Sequence, residues 1–96
     1  MGRRSIAEAI VTKFEKIKEE NHFFLVVYDF PGDQGGIPTR FYKNLEYIAQ
    51  RYQIQRIQKS VIMCKGLKAA KMVAHLAYHY GANVKIFRIC DAAAGI

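Results

Sequence analysis

The chain lacks most of what marks a membrane-inserted or secreted protein. Its longest uncharged apolar run, Phe23–Tyr28, is six residues, far below the roughly 20 that a bilayer span requires. Glu8 interrupts what would be the apolar region of a leader over Met1–Val11, so no signal peptide is expected there. Ser5 stands one place too early for the N-myristoylation pattern. Cysteine is scarce: Cys64 and Cys90 sit in apolar runs without C-x-x-C spacing or a clustered histidine pair. That disfavours zinc and a disulfide framework and points to buried, reduced thiols. Two prolines and seven glycines in 96 residues, with 51% hydrophobic and 24% charged residues, are globular values. The length suits one domain. The expectation is a soluble cytoplasmic protein with no membrane partner.

Catalytic signatures are missing as well. There is no G-x-x-x-x-G-K-S/T, no G-x-G-x-x-G after a strand and no G-x-S-x-G, and Ser5 and Ser60 are the only serines. Nucleoside triphosphate, dinucleotide and acyl-transfer chemistry therefore drop out.

The third scarcity is of negative charge, and it is local. The net charge is +7, yet residues 1–46 are neutral, with basic and acidic side chains in equal number. Residues 47–90 hold Arg51, Arg56, Lys59, Lys65, Lys68, Lys71, Lys85 and Arg88 and no carboxylate at all. Such a stretch makes a coherent positive surface, whose commonest partner is the phosphate backbone of DNA or RNA.

What is present reads as alternating elements. Ser5-Ile6-Ala7-Glu8 is a capping box, and Ile6, Ile10, Phe14 and Ile17 follow at helical spacing, which predicts an amphipathic helix over 6–20. Phe23–Phe30 predicts a strand bulky on both faces, stopped by Pro31 and Gly32. Gly35-Gly36 predicts a loop, and Pro38 the first turn of a helix whose buried stripe is Phe41, Leu45, Ile48 and Tyr52. Ile54–Gln58 and Ser60–Lys65 read as short strands or one bent hairpin. A helix over 67–80 follows, with apolar Ala70, Val73, Ala77 and Tyr80, polar Lys68, Lys71, His75 and His79, and Gly81 as its cap. Val84–Cys90 is the last strand. The order β-α-β-β-α-β implies an α+β, ferredoxin-like antiparallel sheet with an added N-terminal helix. The organisation is an N-terminal helical extension over 1–21, a ferredoxin-like domain over 22–91 and a short tail over 92–96. Helices cover one face of such a sheet, while the first strand is apolar on both. A homodimer, with help from the extra helix, is the expected remedy.

Outside the first helix the carboxylates are Asp29, Asp33, Glu46 and Asp91. Asp29, at the carboxyl end of the first strand, suits a hard cation. Asp33 is on the glycine-flanked loop, Glu46 on a helix face, and Asp91 at the far end of the sheet. One carboxylate rarely holds Mg²⁺ alone, whereas two Asp29 side chains in a symmetric dimer would supply a pair. The alternative is an Asp that caps the following turn. His75 and His79, at i and i+4, lack a third ligand and read as a surface stripe.

Leu25-Val26-Val27-Tyr28-Asp29-Phe30-Pro31 resembles the opening strand of the small CRISPR-associated endoribonuclease family, the non-catalytic partner of the CRISPR integrase. Arg56-Ile57-Gln58-Lys59-Ser60-Val61-Ile62-Met63 resembles its hairpin signature, and Val84–Ile89 its fourth strand. The resemblance covers about residues 23–90. It implies a homodimer in spacer acquisition that binds DNA or RNA and cleaves phosphodiester bonds as a metal-dependent endonuclease. It places catalysis on Asp29 and Tyr28 and a shared Mg²⁺ or Mn²⁺ on paired Asp29. It puts a basic residue before the hairpin on Arg56 and a serine on Ser60. With Arg40 and Lys43, and with Lys59, Lys68 and Lys71 of the basic stretch, Arg56 is expected to contact the nucleic-acid backbone. Tyr28 also has the reading of a core tyrosine. Ile62 and Lys59 stand where the family often has aromatics, and its early helix arginines are represented only by Arg40 and Lys43. A non-catalytic DNA scaffold, or a regulator or toxin-like domain on the same fold, is the alternative function.

Overall fold

Local signals set the elements of the computed structural model, which describes residues 5–31 and 37–89. Residues 1–4, the loop 32–36 with Asp33 and Gly35-Gly36, and the segment 90–96 with Cys90, Asp91 and the tail lie outside the described residues. The Ser5 hydroxyl accepts the Glu8 amide at 3.1 Å and opens helix α1, Ile6–Phe14. Strand β1 is Phe23–Asp29. Pro38, which has no amide hydrogen to leave unpaired, stands at the N-cap of α2, Thr39–Ala49. Strands β2, Ile54–Gln58, and β3, Val61–Lys65, form a hairpin around Lys59-Ser60. Helix α3 is Leu67–His79 and strand β4 is Asn83–Ile89. Gly81, just past α3, has φ +96°, a left-handed conformation that glycine adopts without Cβ strain.

The fold is α+β, with three helices and one antiparallel sheet of strand order β2-β3-β1-β4. Alternation along β1 sends Phe24, Val26 and Tyr28 into the core beneath α2 and α3. Phe23, Leu25 and Val27 leave the other face. Register sets Met63 beside Leu25 on one side and Phe87 beside it on the other.

Two expectations need correction. The helix predicted over 6–20 ends at Phe14, where the Glu15 amide closes the last turn on the Val11 carbonyl at 2.9 Å. Tertiary demand overrides periodicity here, because the segment after it is drawn to the start of α3. The Gly66 amide donates to the His22 carbonyl at 2.8 Å, the Leu67 amide to Glu20 at 3.2 Å, and the Lys68 amide to Glu19 Oε1 at 2.9 Å. These contacts satisfy the donors that a helix N-terminus leaves open, so another part of the chain caps α3. Gly66, at φ +99°, makes room for it: a Cβ there would meet Glu19 Oε2 at 2.7 Å.

The second correction concerns where α1 lies. It packs on α3 and α2, on the helical side, and so does not cover the open sheet face. Its Ala7 amide donates to Asn44 Oδ1 at 3.0 Å, and Phe14 meets the His75 ring at 5.2 Å between centroids. With the sheet below and α1 above, α3 buries Ala69, Ala70, Met72, Val73, Leu76 and Ala77, a wider stripe than its sequence predicts. Tyr52 lies past the end of α2 and is half-buried.

Candidate functional site

Asp29 and Tyr28 are adjacent on a strand and therefore point to opposite faces. Asp29 is exposed at the end of β1 on the open face, directly across from Asn83 and diagonal to Lys85. It borders a groove of about 700 Å³ that Tyr28, Tyr78, Asn83 and Lys85 also line. Tyr28 lies on the helix side and is 1% exposed. Its hydroxyl donates to the Lys59 carbonyl at 2.9 Å, and its amide to the Ser60 carbonyl at 3.0 Å. Phe30 and Phe41 pack edge-on and tilted against its ring. Burial pushes the Tyr28 phenol above its ordinary range, Tyr42 adds to this, and Arg56 opposes it. The phenol is thus a protonated donor that ties the core to the β2–β3 turn. Strand alternation alone carries the signal that separates the two residues.

A divalent cation prefers octahedral oxygen ligands, with one or two carboxylates. One protomer offers Asp29 and the side-chain oxygen of Asn83, with the ammonium of Lys85 on the same groove. Among the described residues no cluster of three metal-ligating His, Cys, Asp or Glu side chains occurs. Asp29 and Asn83 by themselves fall short of such a ligand set. Asp33 lies outside the described residues. His75 and His79 face Lys13 across a groove between α3 and α1. Burial lowers the His75 pKa, with Lys13 and His79 adding to it.

The six expected backbone-binding residues divide into two groups. Arg40 and Lys43 are on the exposed side of α2, Lys59 is in the hairpin turn, and Arg56 stands over the Tyr42 ring, its guanidinium carbon 4.9 Å from the centroid. Lys68 and Lys71 are in α3. Lys71 lines a groove with Phe14, Tyr78 and Val84 on the β4 flank. Strands β2 and β4 are opposite edges of the sheet, so Arg56 and Lys71 serve opposite flanks.

Two residues that join elements escape the sequence reading. Asn44 accepts from the Ala7 amide and donates to the Arg40 carbonyl at 2.8 Å and to the Tyr80 hydroxyl at 3.1 Å. It thereby joins all three helices. Glu19 caps α3 from a distant segment. Cys64 is a free thiol buried under the helices, and burial pushes its pKa up to about 12, so it is inert rather than nucleophilic. No helix among the described residues is long and apolar enough to cross a membrane. No protein-family model, curated protein or solved structure is significantly similar to this chain.

Proposed function

We propose that the chain is a homodimeric nucleic-acid-binding protein on a ferredoxin-like fold, in which two Asp29 carboxylates hold Mg²⁺ or Mn²⁺ for phosphodiester hydrolysis. The observation that carries this reading is the position of Asp29. It is exposed at the end of a strand, on the rim of an apolar sheet face that no helix among the described residues covers. The strand order β2-β3-β1-β4, all antiparallel, supports the ferredoxin-like assignment. Pairing two such faces would bury Leu25, Val27, Met63 and Phe87 and bring the two Asp29 carboxylates near one another. The bound cation would activate water and neutralise charge developing on the phosphate. Arg56 and Lys59, with Arg40 and Lys43, would position the backbone through charge, without reading its sequence. The resemblance of the β1 and hairpin segments supports placing such a dimer beside a CRISPR integrase in spacer acquisition. A second reading, a non-catalytic DNA scaffold, is favoured by two observations: the Tyr28 hydroxyl is engaged by a carbonyl, and Lys85 shares the Asp29 groove.

The decisive experiment compares parent and Asp29→Asn protein in a nuclease assay, with Mg²⁺ or Mn²⁺ and with chelator. The substitution keeps shape and removes the charge that attracts the cation. Cleavage is expected to fall to background while dimer mass and DNA affinity persist. Equal cleavage by both proteins overturns the site, and binding without cleavage by either establishes the scaffold.

A further inference from the structure

On the β2 flank, a groove of about 360 Å³ opens between α2 and the sheet. Its floor is apolar, from Leu45, Ile54 and Ile62, and its walls are Tyr42, Arg56 and Glu46. Tyr42, Glu46 and Ala49 recur at i, i+4 and i+7 along α2 and so share the side of the helix that faces the groove. β2 is an edge strand, and its register shifts between Arg56 and Gln58, the irregularity by which a strand bends and re-aims its side chains.

Glu46 is the anomaly of this flank. It is the only carboxylate between residues 34 and 90, a stretch otherwise charged by Lys and Arg alone. It lines the same groove as Arg56 without pairing with it: the only ion pair among the described residues joins Arg88 and Glu20. Arg56 is instead stacked over Tyr42. The groove therefore offers a planar aromatic and guanidinium wall beside a carboxylate that has acceptors to spare. Planar walls of this kind take a nucleobase by stacking. A carboxylate presents two acceptors side by side and no donor, so it matches a base edge that presents two adjacent donors. Guanine does so with N1–H and its N2 amino group. Adenine and cytosine each set one amino donor beside an acceptor, and uracil a single N–H between two carbonyls.

The geometry points to this groove as a binding site for an unpaired guanine of single-stranded nucleic acid, stacked on Tyr42 and Arg56 and held by Glu46. The inference rests on the nucleic-acid reading above and adds base selectivity to a surface that otherwise contacts only phosphate. A base inside a duplex is stacked and paired on the edge that Glu46 would read, so the ligand is a single strand or a loop.

The test is equilibrium binding of end-labelled oligouridine RNAs that carry one central guanosine, inosine, adenosine or abasic site, with a DNA duplex measured alongside. Inosine keeps N1–H and lacks the N2 amino group. Guanosine is expected to bind about tenfold tighter than inosine, the scale of one hydrogen bond to a charged acceptor, and the abasic strand weakest of all. Glu46→Gln should make guanosine and inosine equal without loss of duplex binding. Tyr42→Leu, which keeps apolar bulk, should bring every base down toward the abasic level. Equal binding of guanosine and inosine by the parent, or a guanosine preference that survives Glu46→Gln, overturns the inference while duplex binding leaves the nucleic-acid reading standing. Failure to bind the duplex and every strand overturns both.

Discussion

Tyr28 and Asn44 show how a single polar side chain acts through the company it keeps. The Tyr28 hydroxyl bonds to the Lys59 carbonyl from within a nearly closed aromatic cluster. Tyr28→Phe removes that bond and no packing, so chemical denaturation is expected to show a loss of about 1 kcal/mol. Nucleic-acid affinity should be unchanged, because the hydroxyl meets the Lys59 carbonyl and not its charged side chain. Asn44 makes three bonds that join α1, α2 and α3. Asn44→Ala leaves the Ala7 amide and the Tyr80 hydroxyl without this partner in a half-buried site. A loss of about 2 kcal/mol is expected in the same measurement, and early opening of α1 should appear as faster amide exchange over Ile6–Phe14. Asparagine has no hydrophobic period to betray it, so nothing in the surrounding sequence separates Asn44 from an exposed helix residue.

At the scale of elements, α1 is the least anchored helix: it is short and packs on other helices rather than on the sheet. His75 stands in that contact, with its ring against Phe14, Lys13 close by on α1, and His79 one turn further along α3. Burial first, then Lys13 and His79, lower its pKa from 6.5 in the folded chain. The unfolded chain therefore binds the proton more readily. The stability this histidine contributes is fully present above pH 6.5 and is lost as the pH falls below it toward the folded value. The melting temperature should drop between neutral and mildly acidic pH, and His75→Gln should flatten that slope. An unchanged slope in the variant would remove His75 as its source. Glu19 works at the same scale from the other end of the fold, because the segment that ends α1 early is the one that caps α3.

For the molecule as a whole, the open sheet face dominates. Phe87 is 51% exposed on edge strand β4, beside Leu25 on a face that also presents Val27 and Met63. An exposed apolar surface on a small protein marks an interaction site, and the proposed partner is a second copy. Light scattering should return a dimer for the parent chain and a monomer of about 11.0 kDa for Phe87→Glu. Circular dichroism should show both folded, because Phe87 contributes little to the core beneath the helices. A parent protein that is already monomeric at micromolar concentration would leave paired Asp29 carboxylates without a route to meet.

Element identity was largely legible because it is local. Ser5 announces α1, Pro38 announces α2, Gly81 ends α3, and the apolar runs of β1 and β4 follow from β-propensity. The lack of any carboxylate between Glu46 and Asp91 is likewise a property of the sequence alone. What the sequence could not contain is which surfaces meet. The period of Ile6, Ile10, Phe14 and Ile17 continues past the point where the helix stops, because capping α3 needs Glu19 and Glu20 outside the helix. The amphipathic face of α1 calls for a partner without naming it, and only packing chose α3 and α2 over the open sheet. Tyr28 and Asp29 stood as a pair because they adjoin in sequence, and the pleat separates them by the thickness of the sheet. Periodicity, propensity and charge belong to a segment by itself; a docking partner belongs to two segments distant in the chain, and only the folded chain brings those together.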